Sequence, residues 1–215
     1  MPRPRSLTPT QLATAALAVI DRDGLAGLSM RAVAKELGVS TMALYRYVED
    51  RGELEELVVE LVLCDAGGEP PPAGPPWRER IGVMARRLYD AVGAHPAVVP
   101  LTLTHQYTSP GVQRWSETVL AVLAGAGFDG GRRTVALRGL LSYVIGAIQL
   151  AHLGPLPGGS ADARPPLPEG EFPYLAEAVR HTGGAGGPDA GREFDEGLDA
   201  LLRGLAPRGG SRNGS

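Results

Sequence analysis

The stretch Ser29–Arg51, SMRAVAKELGVSTMALYRYVEDR, decides how the rest of the chain is read. Ser29 is a hydroxyl-bearing helix N-cap. Met30, Val33, Ala34 and Leu37 then recur at the i, i+3, i+4, i+7 spacing of one apolar helix face. Gly38 stands where a helix ends in the left-handed conformation that glycine adopts cheaply. Ser40 caps a second helix, with Val39 ahead of the cap placed to pack against Leu44. A three-residue, glycine-containing link between two short helices is the pattern of a helix-turn-helix.

The second helix carries an uncommon face. At about 100° per residue, Leu44, Tyr47 and Val48 fall on one side, with Met42, Tyr45 and Arg46 on the other. Thr41 sits at the helix start, the part of a recognition helix that meets base edges. The outward set offers a hydroxyl, a thioether, a phenol and a guanidinium. Such groups suit base edges, a thymine methyl and phosphate oxygens. An ordinary helical hairpin would carry exposed aromatics without the coincidence of two caps, a glycine turn and this face.

Residues Leu28 to Leu57 resemble the DNA-binding segment of tetracycline-repressor-type (TetR family) regulators. The run TMALYRYVEDRGEL, Thr41 to Leu54, is the most specific part, and the resemblance is strong over residues 7–63. It implies an all-α fold: an N-terminal three-helix DNA-binding domain over residues 1–52 and a helical effector-binding and dimerisation domain over 53–215. Arg31, Thr41, Met42 and Arg46 are expected to include the base-reading set. Ser40, which caps the recognition helix, is also expected at the DNA, and Tyr45, Tyr47 and Arg51 are expected mostly on phosphates.

Outward from this stretch, Thr8-Pro9-Thr10-Gln11 forms a complete helix start, with Thr8 as cap, Pro9 at the first helical position and Gln11 closing a capping box. Leu12, Ala15, Ala16, Val19 and Ile20 make the buried stripe of that helix, and Gly24 ends it. Arg3 and Arg5 lie in a short arm expected to be disordered without a partner. On the other side, helices are expected over 52–64, 77–94, 98–105, 110–124 and 132–152. A short helix is expected over 172–181, and a last amphipathic one is marked by Phe194, Leu198, Leu201, Leu202 and Leu205. The Pro- and Gly-rich runs 66–76 and 153–171 read as linker and loop. No strand pattern appears.

Composition sets the outer bounds. The chain has 215 residues, 43% apolar and 21% charged, with a net charge of −3. These are the proportions of a globular protein with a sizeable core. Residues 1–52 carry seven Lys/Arg against five Asp/Glu, and the rest fourteen against nineteen, so a mildly basic head stands on an acidic body. No unbroken apolar run reaches the roughly 18 residues of a membrane helix; the richest, Gly139 to Leu150, is interrupted by Ser142, Gly146 and Gln149. The N-terminus lacks the apolar core of a signal peptide. A single cysteine, Cys64, excludes an internal disulfide and fits a reducing cytoplasm. There is no GxSxG, no HExxH and no phosphate-cradling glycine loop between strand and helix, and four scattered histidines give no metal spacing. The chain is therefore expected to be neither an enzyme nor a holder of a resident cofactor or metal.

The body suggests a partner and a ligand. Leu137, Leu140, Leu141, Val144, Ile145 and Ile148 cover much of the 132–152 helix, and a helix apolar all round must be covered. Paired with the last helix it is expected to form half of a homodimer interface through Leu140, Val144, Ile148, Leu198, Leu201 and Leu205. A two-fold dimer reads two half-sites of a palindromic operator in double-stranded DNA. Met84, Leu88, His105, Tyr107, Thr108, Trp115, Tyr143 and Gln149 are the candidate effector contacts. Tetracycline-binding members of the family hold a metal–drug complex through a His and a Thr, which His105 and Thr108 match, and a Glu. Leu150 stands in the place of that Glu and cannot ligate a metal. The expected function is a dimeric, ligand-responsive transcriptional regulator, a repressor released by a small, largely apolar organic effector. The alternatives are a metal–tetracycline-responsive repressor and a helical scaffold that retains an unused helix-turn-helix.

Overall fold

The computed structural model describes residues 7–66, 71–105, 108–152, 171–174, 177 and 190–205, with backbone only at 65 and 152. Among them are nine α-helices and no strand, as the all-α reading requires: α1 (Pro9–Asp23), α2 (Met30–Glu36), α3 (Thr41–Leu44), α4 (Arg51–Ala66), α5 (Trp77–Gly93), α6 (Val99–Thr104), α7 (Pro110–Gly125), α8 (Gly130–His152) and α9 (Ala190–Gly204). The Arg3 and Arg5 arm, the loop expected at 153–171 and the helix expected at 172–181 fall outside the described residues, apart from 171–174 and 177.

The chain divides into two compact units, residues 1–70 with 90–117, and residues 71–89 with 118–215. The first unit thus runs past the expected domain boundary at residue 52. It starts with α1, whose capping box forms as the sequence requires. Thr8 Oγ1 accepts from the Gln11 amide at 3.2 Å, and Gln11 Oε1 accepts from the Thr8 amide at 3.0 Å. Gly24 ends α1 at φ 74°, its amide bonded to the Ile20 carbonyl at 2.8 Å. A 3-10 turn, Leu25–Gly27, leads into α2. Leu12, Ala16, Val19 and Ile20 of α1, Val33 of α2, Leu44 of α3 and Leu54 and Val58 of α4 are all buried in the core of this unit. Each buried aliphatic side chain contributes roughly 1.5–3 kcal/mol. His95 Nδ1 lies 2.8 Å from Asp21 Oδ2, joining the end of α1 to the turn before α6.

In the second unit, α9 is fixed by aromatic packing. Tyr89 stacks on Phe194 with ring centroids 4.1 Å apart, and the Tyr143 hydroxyl donates to the Phe194 carbonyl at 2.7 Å. Arg86 pairs with Asp195 at 2.9 Å. Phe194, Leu198 and Leu202 are the buried stripe of α9. Asp129 caps α8 by accepting from the Arg132 amide at 2.9 Å, so α8 begins two residues before the expected start.

Two expectations are corrected here. Leu140, Val144, Ile148 and Leu198, expected at a two-fold interface, are 4% exposed or less. Their side chains are consumed by the chain's own packing and offer no surface to a partner, whereas Leu201 and Leu205 remain half-buried. The expected absence of a membrane-length apolar helix also fails on length and composition, since Gly130–Ala151 of α8 reaches a mean hydropathy of 1.5. Ser142, Gly146 and Gln149 interrupt the apolar run without lowering the average enough. Within that stretch Ala136, Leu140, Val144 and Ile148 are the residues buried by the chain itself.

Candidate DNA-binding site and effector region

The helix-turn-helix is built by its caps. Ser29 Oγ accepts from the Ala32 amide at 3.2 Å and Ser40 Oγ from the Ala43 amide at 3.2 Å. Between them Gly38 takes φ 67°, and the Val39 amide reaches back to the Ala34 carbonyl at 2.9 Å. This is the left-handed helix end that lets the chain reverse within three residues. Leu44 and Val48 are sealed in the core and set the rotation of the recognition segment. Ser40, also expected at the DNA, is exposed, with its hydroxyl engaged in the cap.

That rotation turns out the side that the helical periodicity marked. Met42 is 76% exposed and Tyr45 48%. Arg31 and Arg46 are exposed and Thr41 is half-buried. Tyr47, which the wheel placed with Leu44 and Val48, is 38% exposed. The reason is backbone geometry. The α-helix stops at Leu44, and the Arg46 and Tyr47 amides bond three residues back, to Ala43 and Leu44, at 3.3 and 2.9 Å. The α-helix thus ends before Tyr47, and the helical wheel does not fix the direction of its side chain. The chain must leave the helix there, because Asp50 is needed as the cap of α4 and accepts from the Glu53 amide at 3.0 Å.

Arg51, expected on phosphate, has a side chain 46% exposed and is also bonded within the unit. Its Nε donates to Glu55 Oε1 at 2.7 Å and its Nη2 to the Leu25 carbonyl at 3.3 Å.

The candidate effector residues divide between the units. Met84 and Leu88 are buried in the second unit, where Tyr143 is half-buried and Gln149 exposed. In the first unit Trp115 is buried and Thr108 exposed. Tyr107 lies outside the described residues. Burial raises the Tyr143 hydroxyl above the ordinary tyrosine range, helped by the negative charge of Asp195.

His105 is 9% exposed and lies against α4: Nε2 is 3.3 Å from Glu55 Oε2, and Nδ1 is 3.5 Å from Glu56 Oε1. One turn further along α4, Glu60 Oε1 accepts from the Ser109 hydroxyl at 2.5 Å and the Gly111 amide at 2.6 Å. Its Oε2 accepts from Arg114 at 3.1 Å. Burial alone would raise the Glu60 pKa, but these bonds and the Arg114 charge outweigh it and hold the carboxyl below the ordinary range. A Cβ at Gly111 would lie 3.0 Å from Glu60 Oε1 and 3.3 Å from Leu63 Cβ, so the approach of α4 to the start of α7 depends on that glycine. Sequence reading passed over Glu55, Glu56 and Glu60. Their only signal was acidic residues at i, i+1 and i+5 of a helix that also carries Glu53 and Asp65.

A capped helix-turn-helix with an exposed polar and aromatic recognition face, followed by a helical body, defines a DNA-binding transcriptional regulator. The sequence matches the profile of bacterial regulatory proteins of the tetR family over residues 12–54, and that of the tetracyclin repressor-like C-terminal domain over residues 70–208. The chain belongs to the tetR family, whose members are ligand-responsive DNA-binding regulators. It is 33% identical over 146 residues to the HTH-type transcriptional repressor DrrR1 of Streptomyces coeruleorubidus, covering 68% of this chain and 54% of that one. The match therefore spans about half of that repressor's length. An HTH-type transcriptional regulator of Saccharopolyspora erythraea is 31% identical over 212 residues, with 95% of this chain and 86% of that one covered. Among solved structures, a possible TetR family transcriptional regulator from Streptomyces coelicolor A3(2) is 27% identical with a TM-score of 0.78, covering 92% and 98% of the two chains. The Streptomyces coelicolor protein ActR in complex with actinorhodin is 25% identical with a TM-score of 0.74, covering 97% and 99%.

Proposed function

We propose that this chain is a homodimeric, cytoplasmic repressor, released from a palindromic operator by a small organic effector. The observation that carries the reading is the outward face of α3, which the Ser40 cap and the buried Leu44 and Val48 present to solvent with Met42 76% exposed. An exposed thioether flanked by a threonine, a tyrosine and an arginine has little stabilising role in the free protein. Against a major groove it meets base edges and a thymine methyl. Arg31, Thr41, Met42 and Arg46 are assigned to bases, and Tyr45 and Tyr47 to phosphates.

Dimerisation is supported by α8. Of Gly130–Ala151 the chain itself buries Ala136, Leu140, Val144 and Ile148, while Leu137, Leu141 and Ile145 remain half-buried, and Val135 and Leu150 are 67% and 63% exposed. These residues, with Leu201 and Leu205 of α9, take the place of Leu140, Val144, Ile148 and Leu198 as the face offered to a second copy. Sedimentation of the full chain with duplexes of varied half-site spacing tests this. Two protomers per duplex are expected, with affinity peaking at a centre-to-centre spacing of about 34–36 Å or a multiple of it. One protomer per duplex, or indifference to spacing, contradicts the reading.

The effector is assigned to the largely apolar or aromatic class without a metal. Buried Met84 and Leu88 and the alkyl Leu150 in place of a carboxylate support this, as does the likeness to ActR, which was solved with actinorhodin. Titration calorimetry with tetracycline and Mg²⁺ checks it. Micromolar binding that disappears with a chelator and in His105→Ala would restore the metal–drug reading.

A further inference from the structure

On α5 one arginine lacks what its neighbours have. Arg86 pairs with Asp195 at 2.9 Å, and Arg78 Nε donates to the Leu202 carbonyl at 3.1 Å. Arg80 is half-buried, and its Nη2 donates to the Pro71 carbonyl at 3.3 Å. Its Nε is buried with no acceptor, and among the described residues no carboxylate pairs with the guanidinium. A guanidinium stays protonated in a protein, so Arg80 cannot shed its charge on burial. A charge withdrawn from water without an anion beside it is costly. Met84 stands four residues further along α5 and Leu88 eight, so the three side chains follow one another along one face of the helix. Met84 and Leu88 are the buried pair assigned above to the effector. Arg80 thus ends that apolar row with a donor unused.

We propose that Arg80 is the anion-recognising residue of the effector site, and that the effector is an organic carboxylate on an apolar or aromatic body. The inference rests on the effector reading above and deepens it. The planar fork of a guanidinium matches the two oxygens of a carboxylate. Nε offers one donor, and the two Nη groups keep donors beyond the one given to Pro71. The Pro71 carbonyl orients the guanidinium without neutralising it, which leaves the charge to the ligand. The carboxylate lies at Arg80 and the apolar body toward Met84 and Leu88. Water competes poorly at a half-buried group, so the ion pair is stronger there than at the surface. A neutral ligand of the same shape lacks the charge that Arg80 answers, and that is the source of discrimination.

The test uses the full-length chain with benzoate, a naphthoate and an anthracenecarboxylate, each beside its own primary amide, read by titration calorimetry and by melting temperature. At least one acid is expected to bind about ten-fold more tightly than its amide. Arg80→Met, which keeps an apolar stem of similar length, is expected to abolish that difference and to leave the affinity for the amide unchanged. Arg80→Lys, which keeps the charge without the fork, retains part of the difference. In the absence of ligand, Arg80→Met is expected to melt no lower than the wild type, because it removes a cation without an anionic partner. A lower melting temperature, or failure of Arg80→Met to fold, would make Arg80 a structural residue and overturn the proposal. A preference for the acid that survives in Arg80→Met would overturn it equally. Amides bound as tightly as acids by the wild type would remove the role of Arg80 and leave the apolar-effector reading standing. If no acid and no amide binds, that reading falls too, and this proposal with it.

Discussion

At Gly38 a single backbone angle holds two helices in register. Its φ of 67° is open to glycine, and a side chain there would meet nothing within 4 Å. The cost of Gly38→Ala is therefore conformational rather than steric, about 1 kcal/mol. Urea unfolding reads it directly, and an unchanged midpoint would show that the turn relaxes freely. Arg46→Ala is expected to alter base preference, by about 1–3 kcal/mol at one operator position if its contact is bidentate. A loss equal across all sequences would place Arg46 on phosphate instead. Gly38, Ser29 and Ser40 were legible in the sequence because caps and left-handed positions are local. The fates of Arg51 and Tyr47 were not. The first depends on Glu55 and on a carbonyl 26 residues away, and the second on a helix that ends at Leu44, short of the position the wheel assumes.

Between α4 and the start of α7, Glu60 has a carboxyl held below the ordinary range. A depressed folded value means that its contribution is complete above the ordinary carboxyl pKa and is lost as pH falls through the depressed one. Stability should therefore fall on acidification from about pH 4.5 downward, and less steeply in Glu60→Gln. Because the group is partly solvated, the difference at neutral pH is expected to be about 0.5–1 kcal/mol. Urea midpoints for both proteins across that range check it, and parallel pH profiles would contradict the assignment. Helix existence was legible from apolar spacing and stop signals: α1 ends at Gly24 and α5 at Gly93, beside the expected His95-Pro96 stop. Starts shifted where a cap stood earlier than expected, with Asp50 opening α4 and Asp129 opening α8.

Over the whole molecule, periodicity identified α8 as a helix that needs cover without saying which side the chain covers itself. That division follows from tertiary packing, which buries Leu140, Val144 and Ile148 and leaves Val135 and Leu150 out. Leu141→Glu, on the half-buried side, is expected to shift the sedimenting species from dimer to monomer while helix content is retained. A dimer that survives would place the interface elsewhere. The central claim, that the capped face of α3 reads DNA as a regulator does, is tested most directly by competitive gel shift of the full chain on its own upstream region across a salt series. The account predicts displacement by a palindromic duplex alone, affinity that falls linearly in log–log form with salt, and loss of that selectivity in Arg46→Ala. Weak binding that any duplex displaces equally, with wild type and Arg46→Ala indistinguishable, would contradict it.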